Sequence, residues 1–247
     1  MLSSAARATD QPEAFVFCYE NTELYPSFVG DSSEVPETKP GFAIDLMKLI
    51  GKEVDLEMNF VRFPWKRCLA LMKAGAADGV IASFSKSRMA IGRYPMLKGK
   101  PDEDRRFYTG GYRLYQMKGQ PTVWDGENFN FPNVTIGVPL GYSIVEKLRS
   151  QGLNVIEAGN IEGMMTMLQR GRVDAVAAPG LSTDALIKRY RKQYADIERQ
   201  PLPLQIKAYY VMLSHQFVKK TPGKATAIWE AARRFRQDVT DELMKQY

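Results

Sequence analysis

Arg88 follows two serines, Ser83 and Ser85, at the end of a short apolar run, and these three side chains together could bind an anion. A guanidinium presents a fork of N–H groups that matches a carboxylate, and a hydroxyl beside it can both donate and accept hydrogen bonds. The alternatives are a surface arginine and two serines that cap the following turn. The pattern alone leaves the carboxylate site and these alternatives open.

Further candidates stand where predicted strands end and predicted helices begin. Ser143 follows Gly141 at a helix start, where its N–H and hydroxyl favour an anion or simply cap the helix. Glu20 ends the first predicted strand and is the one carboxylate we single out for general acid–base chemistry. Aromatic side chains at such positions either contact a ligand or pack in the core; they are Tyr19, Tyr25, Phe28, Trp65 and Tyr142.

The composition narrows the classes of function. The chain has 247 residues, 34 Lys and Arg against 28 Asp and Glu, and a net charge of +6, so it forms one large domain or two small ones. Its hydrophobic fraction of 45% is that of a globular protein and excludes disorder as the main property. Basic residues are scattered apart from one cluster, which indicates a solvated helix face rather than a nucleic-acid site: Lys188, Arg189, Arg191 and Lys192.

Two cysteines, Cys18 and Cys68, and one histidine, His215, are too few for a Cys/His metal site. Their apolar surroundings favour two free core cysteines, with a single disulfide as the other possibility in an exported chain. We expect no metal and no cofactor. The sequence Ala6-Arg7-Ala8 is similar to the tail of a signal-peptide cleavage site, so we expect an exported protein without its leader. No apolar run is long enough for a transmembrane helix.

An internal repeat predicts the organisation of the chain. Residues 69–83 read LALMKAGAADGVIAS and residues 165–179 read MTMLQRGRVDAVAAP, so that Asp78 aligns with Asp174. Each copy predicts an amphipathic helix, a glycine stop and a short strand that an aspartate introduces. We interpret both aspartates as turn residues. The repeat indicates two similar α/β halves.

Each half is predicted as strand, helix, strand, helix, strand, which gives a parallel sheet covered by helices. Two aromatic-rich strands, 111–117 and 206–214, flank the second half, and a tail helix with Thr221 as its N-cap returns to the first. The sequence therefore predicts two α/β lobes joined by two crossing strands, with a cleft between them. The predicted lobes are residues 12–111 with 210–247, and residues 112–209.

The order and spacing of these motifs resemble family 3 of the bacterial extracellular solute-binding proteins, which are periplasmic amino-acid receptors of ABC importers. The resemblance covers roughly residues 12–245. It rests on Gly41-Phe42-x-Ile44-Asp45-Leu46, Trp65-x-Arg67-x-Leu69, Gly75-x-x-Asp78, Ser83-x-Ser85-x-x-Arg88, Gly141-Tyr142-Ser143 and Gly171-x-x-Asp174-Ala175. It implies the type II periplasmic-binding-protein fold, a periplasmic location, a small-molecule ligand and the membrane subunits of an ABC importer as partners. We expect a monomer without nucleic acid and without membrane insertion.

The resemblance also implies roles for single residues. Arg88 would hold the ligand carboxylate, with Arg93 as an alternative because the loop is shorter than in the usual family pattern. The family usually places an acid at the position of Pro179, where it pairs with a ligand ammonium. A buried ammonium without a counter-charge is costly, so either Glu20 or Asp184 replaces that acid, or the ligand is not an ordinary α-amino acid.

We therefore expect a receptor that closes over a small carboxylate-bearing ligand, an amino acid or related compound, and delivers it to an importer without covalent chemistry. The alternatives are an enzyme similar to the periplasmic cyclohexadienyl dehydratases, with Glu20 as its acid–base group, and a sensor domain of a receptor. The predicted ligand-binding residues are Tyr19, Glu20, Trp65, Ser83, Ser85, Arg88, Tyr142, Ser143 and Pro179.

Overall fold

A computed structural model describes residues 13–247, so the predicted leader remnant at residues 6–8 lies outside the described residues. The first lobe begins with five elements in the predicted order, because β-prone runs alternate with helical segments that are apolar on one face. They are β1 (Glu13–Glu20), α1 (Phe42–Glu53), β2 (Leu56–Phe63), α2 (Trp65–Ala74) and β3 (Gly79–Ser83). Short elements then lead to the first crossing strand: a 3-10 helix (Ser87–Ala90), β4 (Gly92–Arg93), β5 (Met96–Leu97), β6 (Lys100–Pro101), a 3-10 helix (Glu103–Arg105) and β7 (Tyr108–Met117).

The second lobe repeats the same order, and the chain then returns to the first. Its elements are β8 (Thr135–Val138), α3 (Ile144–Ser150), β9 (Asn154–Glu157), α4 (Ile161–Gln169), β10 (Ala175–Pro179), α5 (Gly180–Arg189) and β11 (Ile197–Arg199). The second crossing strand and the tail follow as β12 (Gln205–Ser214), α6 (His215–Lys220), α7 (Pro222–Asp238) and α8 (Thr240–Lys245). The predicted strand and helix order is confirmed in both lobes, while the lobe boundaries stay predictions.

The internal repeat is confirmed at the level of backbone contacts. Strand β1 pairs in parallel with β2 and β3, and β8 pairs in parallel with β9 and β10. Asp78 Oδ2 accepts a hydrogen bond from the N–H of Val16 at 2.8 Å, and Asp174 Oδ2 accepts one from the N–H of Thr135 at 2.7 Å. The two aspartates therefore do more than form turns, since each also fixes the neighbouring strand of its lobe.

The two crossing strands join the lobes into one sheet of order β2-β1-β3-β12-β7-β10-β8-β9. Tyr209 of β12 pairs with Ser83 of β3 on one side and with Tyr108 of β7 on the other. Gly111 of β7 permits this close approach, because a Cβ there would lie 2.7 Å from the carbonyl oxygen of Gln205. The ends of β1, β3 and β10 thus meet beside the crossing strands.

The tail helix packs its apolar face on the first lobe, as predicted, with Ile228, Trp229 and Ala232 in the core. Pro222 is the first residue of α7, which agrees with the sequence pattern. Thr221 is the N-cap residue, as predicted, but its side chain forms no capping bond, because its hydroxyl donates to the carbonyl of Phe217 in the preceding helix instead. None of the helices in residues 13–247 has the length and apolar character to cross a membrane.

Cys18 and Cys68 form a disulfide, with their Cα atoms 5.6 Å apart. The favoured interpretation as two free core cysteines is therefore wrong. Both side chains are fully buried where β1 packs on α2, among Met72 and Val80. The bond connects the strand that ends in Glu20 to the helix that begins at Trp65.

Candidate ligand-binding site

A cavity of about 70 Å³ lies between the lobes, where β1, β3 and β10 end next to the crossing strands. Ligands of open α/β sheets bind at such strand ends, because loops from separate elements converge there. Seven of the predicted residues line this cavity: Tyr19, Glu20, Trp65, Ser83, Arg88, Tyr142 and Pro179. The structure also brings in residues that sequence reasoning missed, above all the tyrosines of the crossing strands.

Arg88 lies at the seam between the two lobes and is only 7% exposed. Its Nη1 donates to the carbonyl oxygen of Ser83 at 3.1 Å and approaches the Ser83 hydroxyl at 3.4 Å, and its Nη2 donates to the carbonyl oxygen of Gly141 at 3.4 Å. The guanidinium carbon stands 5.3 Å from the centre of the Trp65 ring. Groups from both lobes and the face of the Trp65 ring therefore hold the Arg88 guanidinium in place.

Ser83 and Ser143 face each other across the seam, with 3.0 Å between their hydroxyl oxygens. Lys207 of β12 donates to the hydroxyl of Ser143 at 3.0 Å. Burial is the main cause that lowers the pKa of Lys207, to about 8, and the charge of Arg88 adds to it. Sequence reasoning missed Lys207, because a single lysine in an aromatic-rich strand has no polar residue nearby whose spacing would indicate a shared site.

Glu20 is the carboxylate of the cavity. Its Oε2 accepts a hydrogen bond from the hydroxyl of Tyr142, in the other lobe, at 3.1 Å. Burial raises the pKa of Glu20 to about 7, although the Tyr142 bond and the charge of Arg88 both act to lower it. The group therefore changes charge near neutral pH, as an acid–base residue does, and it also links the lobes.

Tyrosines of the crossing strands form one wall of the cavity. The rings of Tyr108 and Tyr209 stack with their centres 4.7 Å apart, and Tyr112 contacts Tyr142 edge to face. Burial raises the pKa of all four hydroxyls, so they stay protonated donors at any physiological pH. The strands were predicted as aromatic-rich, and their pairing explains why the rings meet at this wall.

The predicted aromatics of the first lobe occupy different positions. Tyr19 and Phe28 line the cavity and are buried against each other, with ring centres 5.1 Å apart. The Tyr19 hydroxyl is buried and has no hydrogen-bond partner among the described residues. Tyr25 lies outside the cavity, where the guanidinium of Arg189 covers its ring and also pairs with Glu23.

Arg62 is a buried residue that sequence reasoning did not identify. It donates to the carbonyl oxygens of Glu20, Val29, Gly30 and Glu34, and so ties the loop after β1 to the end of that strand. All of these acceptors are backbone groups. Arg62 therefore supports the wall that carries Tyr19 and Glu20.

Four other candidates do not line the cavity, namely Ser143, described above, and Ser85, Arg93 and Asp184. Ser85 is bonded to Ser87, which in turn donates to Glu146 of the second lobe, on the outer side of Arg88. Arg93 is exposed and donates to His215. Asp184 accepts a hydrogen bond from Tyr115 and pairs with Arg199, so it does not replace the missing acid in the cavity.

Pro179 lines the cavity at the end of β10 and precedes α5. It brings an apolar ring and a carbonyl oxygen that already accepts a hydrogen bond from Thr183 at 2.8 Å. Among residues 13–247, no cluster of His, Cys, Asp and Glu side chains is arranged to hold a metal ion. The polar groups of the site are therefore one carboxylate, two cations, serines and tyrosines.

The family model for bacterial extracellular solute-binding proteins, family 3, matches residues 23–90, the segment that ends just after Arg88. No curated protein matches the chain significantly.

Three solved structures illustrate the likeness in fold. A histidine kinase sensor domain similar to periplasmic binding proteins has a TM-score of 0.74 at 11% identity, covering 96% of this chain and 96% of its own. The substrate-binding protein of an amino acid ABC transporter from Streptococcus pneumoniae, bound to L-arginine, has a TM-score of 0.71 at 17% identity. The match covers 94% of this chain and 93% of that protein. An ancestral amino-acid-binding protein, a precursor of cyclohexadienyl dehydratase, has a TM-score of 0.69 at 15% identity. The match covers 95% of this chain and 94% of that protein.

At these identities the likeness concerns the fold, which is that of type II periplasmic binding proteins. The comparisons confirm the predicted resemblance to the bacterial extracellular solute-binding proteins, family 3, in sequence over residues 23–90 and in fold over nearly the whole chain.

Proposed function

We propose that the chain is a receptor that closes over a small ligand carrying a carboxylate, an amino acid or a related compound. The observation that carries this proposal is Arg88, whose buried guanidinium donates to one hydroxyl and two carbonyl groups. No carboxylate of residues 13–247 forms an ion pair with it. A buried charge is costly without a counter-ion, and a ligand carboxylate would supply one in the geometry that a guanidinium fork fits.

The two crossing strands support closure as the binding mechanism. They are the elements that connect the lobes, and the seam contacts on both sides of the cavity come from opposite lobes: Tyr142 with Glu20, and Ser83 with Ser143. A ligand that bridges these groups favours the closed form by its extra contacts there. Small-angle scattering should then give a smaller radius of gyration with ligand than without it.

We further propose that the chain is exported and passes its ligand to the membrane subunits of an ABC importer. The family model describes extracellular proteins, and one structural neighbour is the substrate-binding protein of an amino acid ABC transporter. The Cys18–Cys68 disulfide suits an oxidising compartment such as the periplasm.

Native mass spectrometry of protein purified without refolding tests the receptor function, because it detects a solute that the cavity retains. Arg88→Ala should then weaken binding of that solute by about 2–5 kcal/mol, as expected for the loss of one partner in a desolvated charge pair. Arg93→Ala is the matched control, because Arg93 is exposed and lies away from the cavity. Equal affinities of Arg88→Ala and Arg93→Ala would contradict the proposal.

The second candidate is a dehydratase-like enzyme, and the raised pKa of Glu20, about 7, is the observation that favours it. A carboxyl group that titrates near the working pH can transfer protons in both directions. One structural neighbour is a precursor of cyclohexadienyl dehydratase. Incubation with prephenate or arogenate tests this function: an aromatic product that Glu20→Gln fails to form would support it, and an unchanged substrate would exclude it.

A further inference from the structure

Lys207 ends a chain of polar contacts that begins at Arg88. Arg88 Nη1 lies 3.4 Å from the hydroxyl of Ser83, the hydroxyls of Ser83 and Ser143 lie 3.0 Å apart, and Lys207 Nζ lies 3.0 Å from the hydroxyl of Ser143. Ser83 and Arg88 come from the first lobe, Ser143 from the second and Lys207 from a crossing strand. Arg88 and Ser83 line the cavity, whereas Ser143 and Lys207 lie behind Ser83 and do not line it, so the two cations are connected through two hydroxyls next to the cavity.

This chain of contacts contains more donors than acceptors. Guanidinium and ammonium groups only donate, and each serine hydroxyl carries a single hydrogen. One of the two hydroxyl hydrogens forms the Ser83–Ser143 bond, and the Tyr112 hydroxyl can accept a hydrogen bond from Ser143 but brings a hydrogen of its own. Lys207 has N–H groups beyond the one that bonds Ser143. An anion with two or more oxygens would satisfy these donors.

Positive charges also outweigh negative charges around the cavity. Arg88 and Lys207 are cations, and neither forms an ion pair with a carboxylate of residues 13–247. Glu20 is the carboxylate in the cavity wall, and burial raises its pKa to about 7, so its negative charge is incomplete at neutral pH. Lys207 stays largely protonated there, because its pKa is about 8.

The surroundings of Lys207 offset this excess only in part. The charge of Glu146 favours the protonated form of Lys207, but the two groups form no ion pair, and Lys147 beside Glu146 adds a positive charge. An amino acid with an uncharged side chain has no net charge and would leave the cations uncompensated. A ligand with net negative charge would compensate them, because buried charges are strongly destabilising unless they are paired.

We propose that Lys207 is a second cationic anchor of this cavity, and that the ligand is a small carboxylic acid with net negative charge and no ammonium group. One carboxylate oxygen would face Arg88 and Ser83, and a second oxygen or a second carboxylate would face Ser143 and Lys207. This ligand class rests on the proposed solute-binding function. Pro179 lines the cavity without a charge at the position where the resemblance implies an acid for a ligand ammonium, which agrees with this ligand class.

Calorimetric titration of the full chain with matched acids tests the ligand class. The pairs are lactate with alanine, malate with aspartate, and 2-hydroxyglutarate with glutamate, which differ only in a hydroxyl or an ammonium group. We expect the compound that binds most tightly to be a hydroxy acid. Its affinity should exceed that of the matching amino acid by about tenfold or more. Tighter binding of an amino acid would overturn the ligand class and leave the receptor function standing. No binding in any pair, together with no acid retained in native mass spectrometry, would overturn both.

Three variants test the role of Lys207 with the acid that binds. Lys207→Met should weaken binding about 30-fold, because it removes the charge and keeps the length of the side chain. Lys207→Arg should restore most of the affinity, and Lys188→Met, an exposed lysine on α5, controls for the loss of one positive charge. Thermal unfolding of each variant shows that it folds. Full affinity in Lys207→Met, with affinity lost in Arg88→Ala, would overturn the anchor and leave the carboxylate site intact.

Discussion

The two lobes share the same repeated helix–strand unit, but different side chains follow the strand that ends this unit. Helix α2 and strand β3 start at Trp65 and Gly79, and α4 and β10 start at Ile161 and Ala175, with the same spacing within each pair. Strand β3 ends at Ser83 and leads to the buried Arg88, whereas β10 ends at Pro179. The repeat therefore fixes where each strand ends, while the residues at and after that end decide whether the lobe can bind a charge.

A second difference lies where the first strand of each lobe packs on a helix. Asp78 bonds Val16, two residues before Cys18, and Asp174 bonds Thr135, two residues before Gly137, so Cys18 and Gly137 are equivalent. Cys68 on α2 is likewise equivalent to Met164 on α4. A Cβ at Gly137 would lie 3.1 Å from the sulfur of Met164. The first lobe thus has a covalent bond where the second has only a close apolar contact.

Breaking that bond should have the largest effect on stability. Reduction of Cys18–Cys68, which encloses a separation of 50 residues, should lower the free energy of unfolding by about 4 kcal/mol on the chain-entropy model. Urea unfolding of oxidised and reduced protein measures this difference. The control is Cys18→Ala/Cys68→Ala, whose stability should not respond to a reductant. Equal stabilities of oxidised and reduced protein would show that apolar packing alone holds both lobes.

Glu20 should give the ligand-free protein a stability that falls as pH rises. Its folded-state pKa of about 7 lies above the ordinary value of 4.5, so the folded chain holds the proton more tightly than the unfolded chain does. Its contribution therefore decreases as pH rises from about 4.5 to about 7, by about 3 kcal/mol in total. Unfolding of Glu20→Gln between pH 4 and 8 should lack this decrease. A parallel decrease in both proteins would assign it to other groups.

The two equivalent aspartates should differ in the stability they confer. Asp78→Ala should cost about 1–3 kcal/mol, because it leaves the N–H of Val16 without an acceptor in a partly buried place. Asp174→Ala should cost less than about 1 kcal/mol, because Asp174 is exposed and water can bond the N–H of Thr135. Chemical denaturation of both variants gives the comparison, and equal costs would mean that burial does not distinguish the lobes here.

Pro179→Asp should make the second lobe bind charge as well. Asp suits the position before a helix, and its carboxylate would supply a partner for a ligand ammonium. We expect amino acids to gain about tenfold in affinity, which calorimetric titration measures. Pro179→Asn is the matched control, since it has the same shape without the charge. An equal gain in both variants would attribute the effect to the loss of the proline ring.

The backbone was predictable from local patterns, and part of the site was not. Glycine stops, aspartates before strands and apolar periodicity each act within a few residues, so they identify the repeat from the sequence alone. The disulfide and Lys207 depend on elements far apart in the chain, and nothing in their immediate neighbourhood signals the contact. Asp184 was considered as a replacement for the acid missing at Pro179, and its actual partner Arg199, 15 residues away, is identified only by the folded structure.

The crossing strands also determine how this molecule could be taken apart. The predicted second lobe begins at Tyr112, and Tyr112 is paired with Gln205 across adjacent antiparallel strands. Adjacent strands lie about 4.8 Å apart, so the two cut ends of the first lobe would already be neighbours. A hairpin loop of about two to five residues would close them. Residues between the cuts therefore form a cassette that recombination or protein engineering can exchange as one piece, which would replace the Ser143 and Pro179 side of the cavity and keep Glu20 and Arg88.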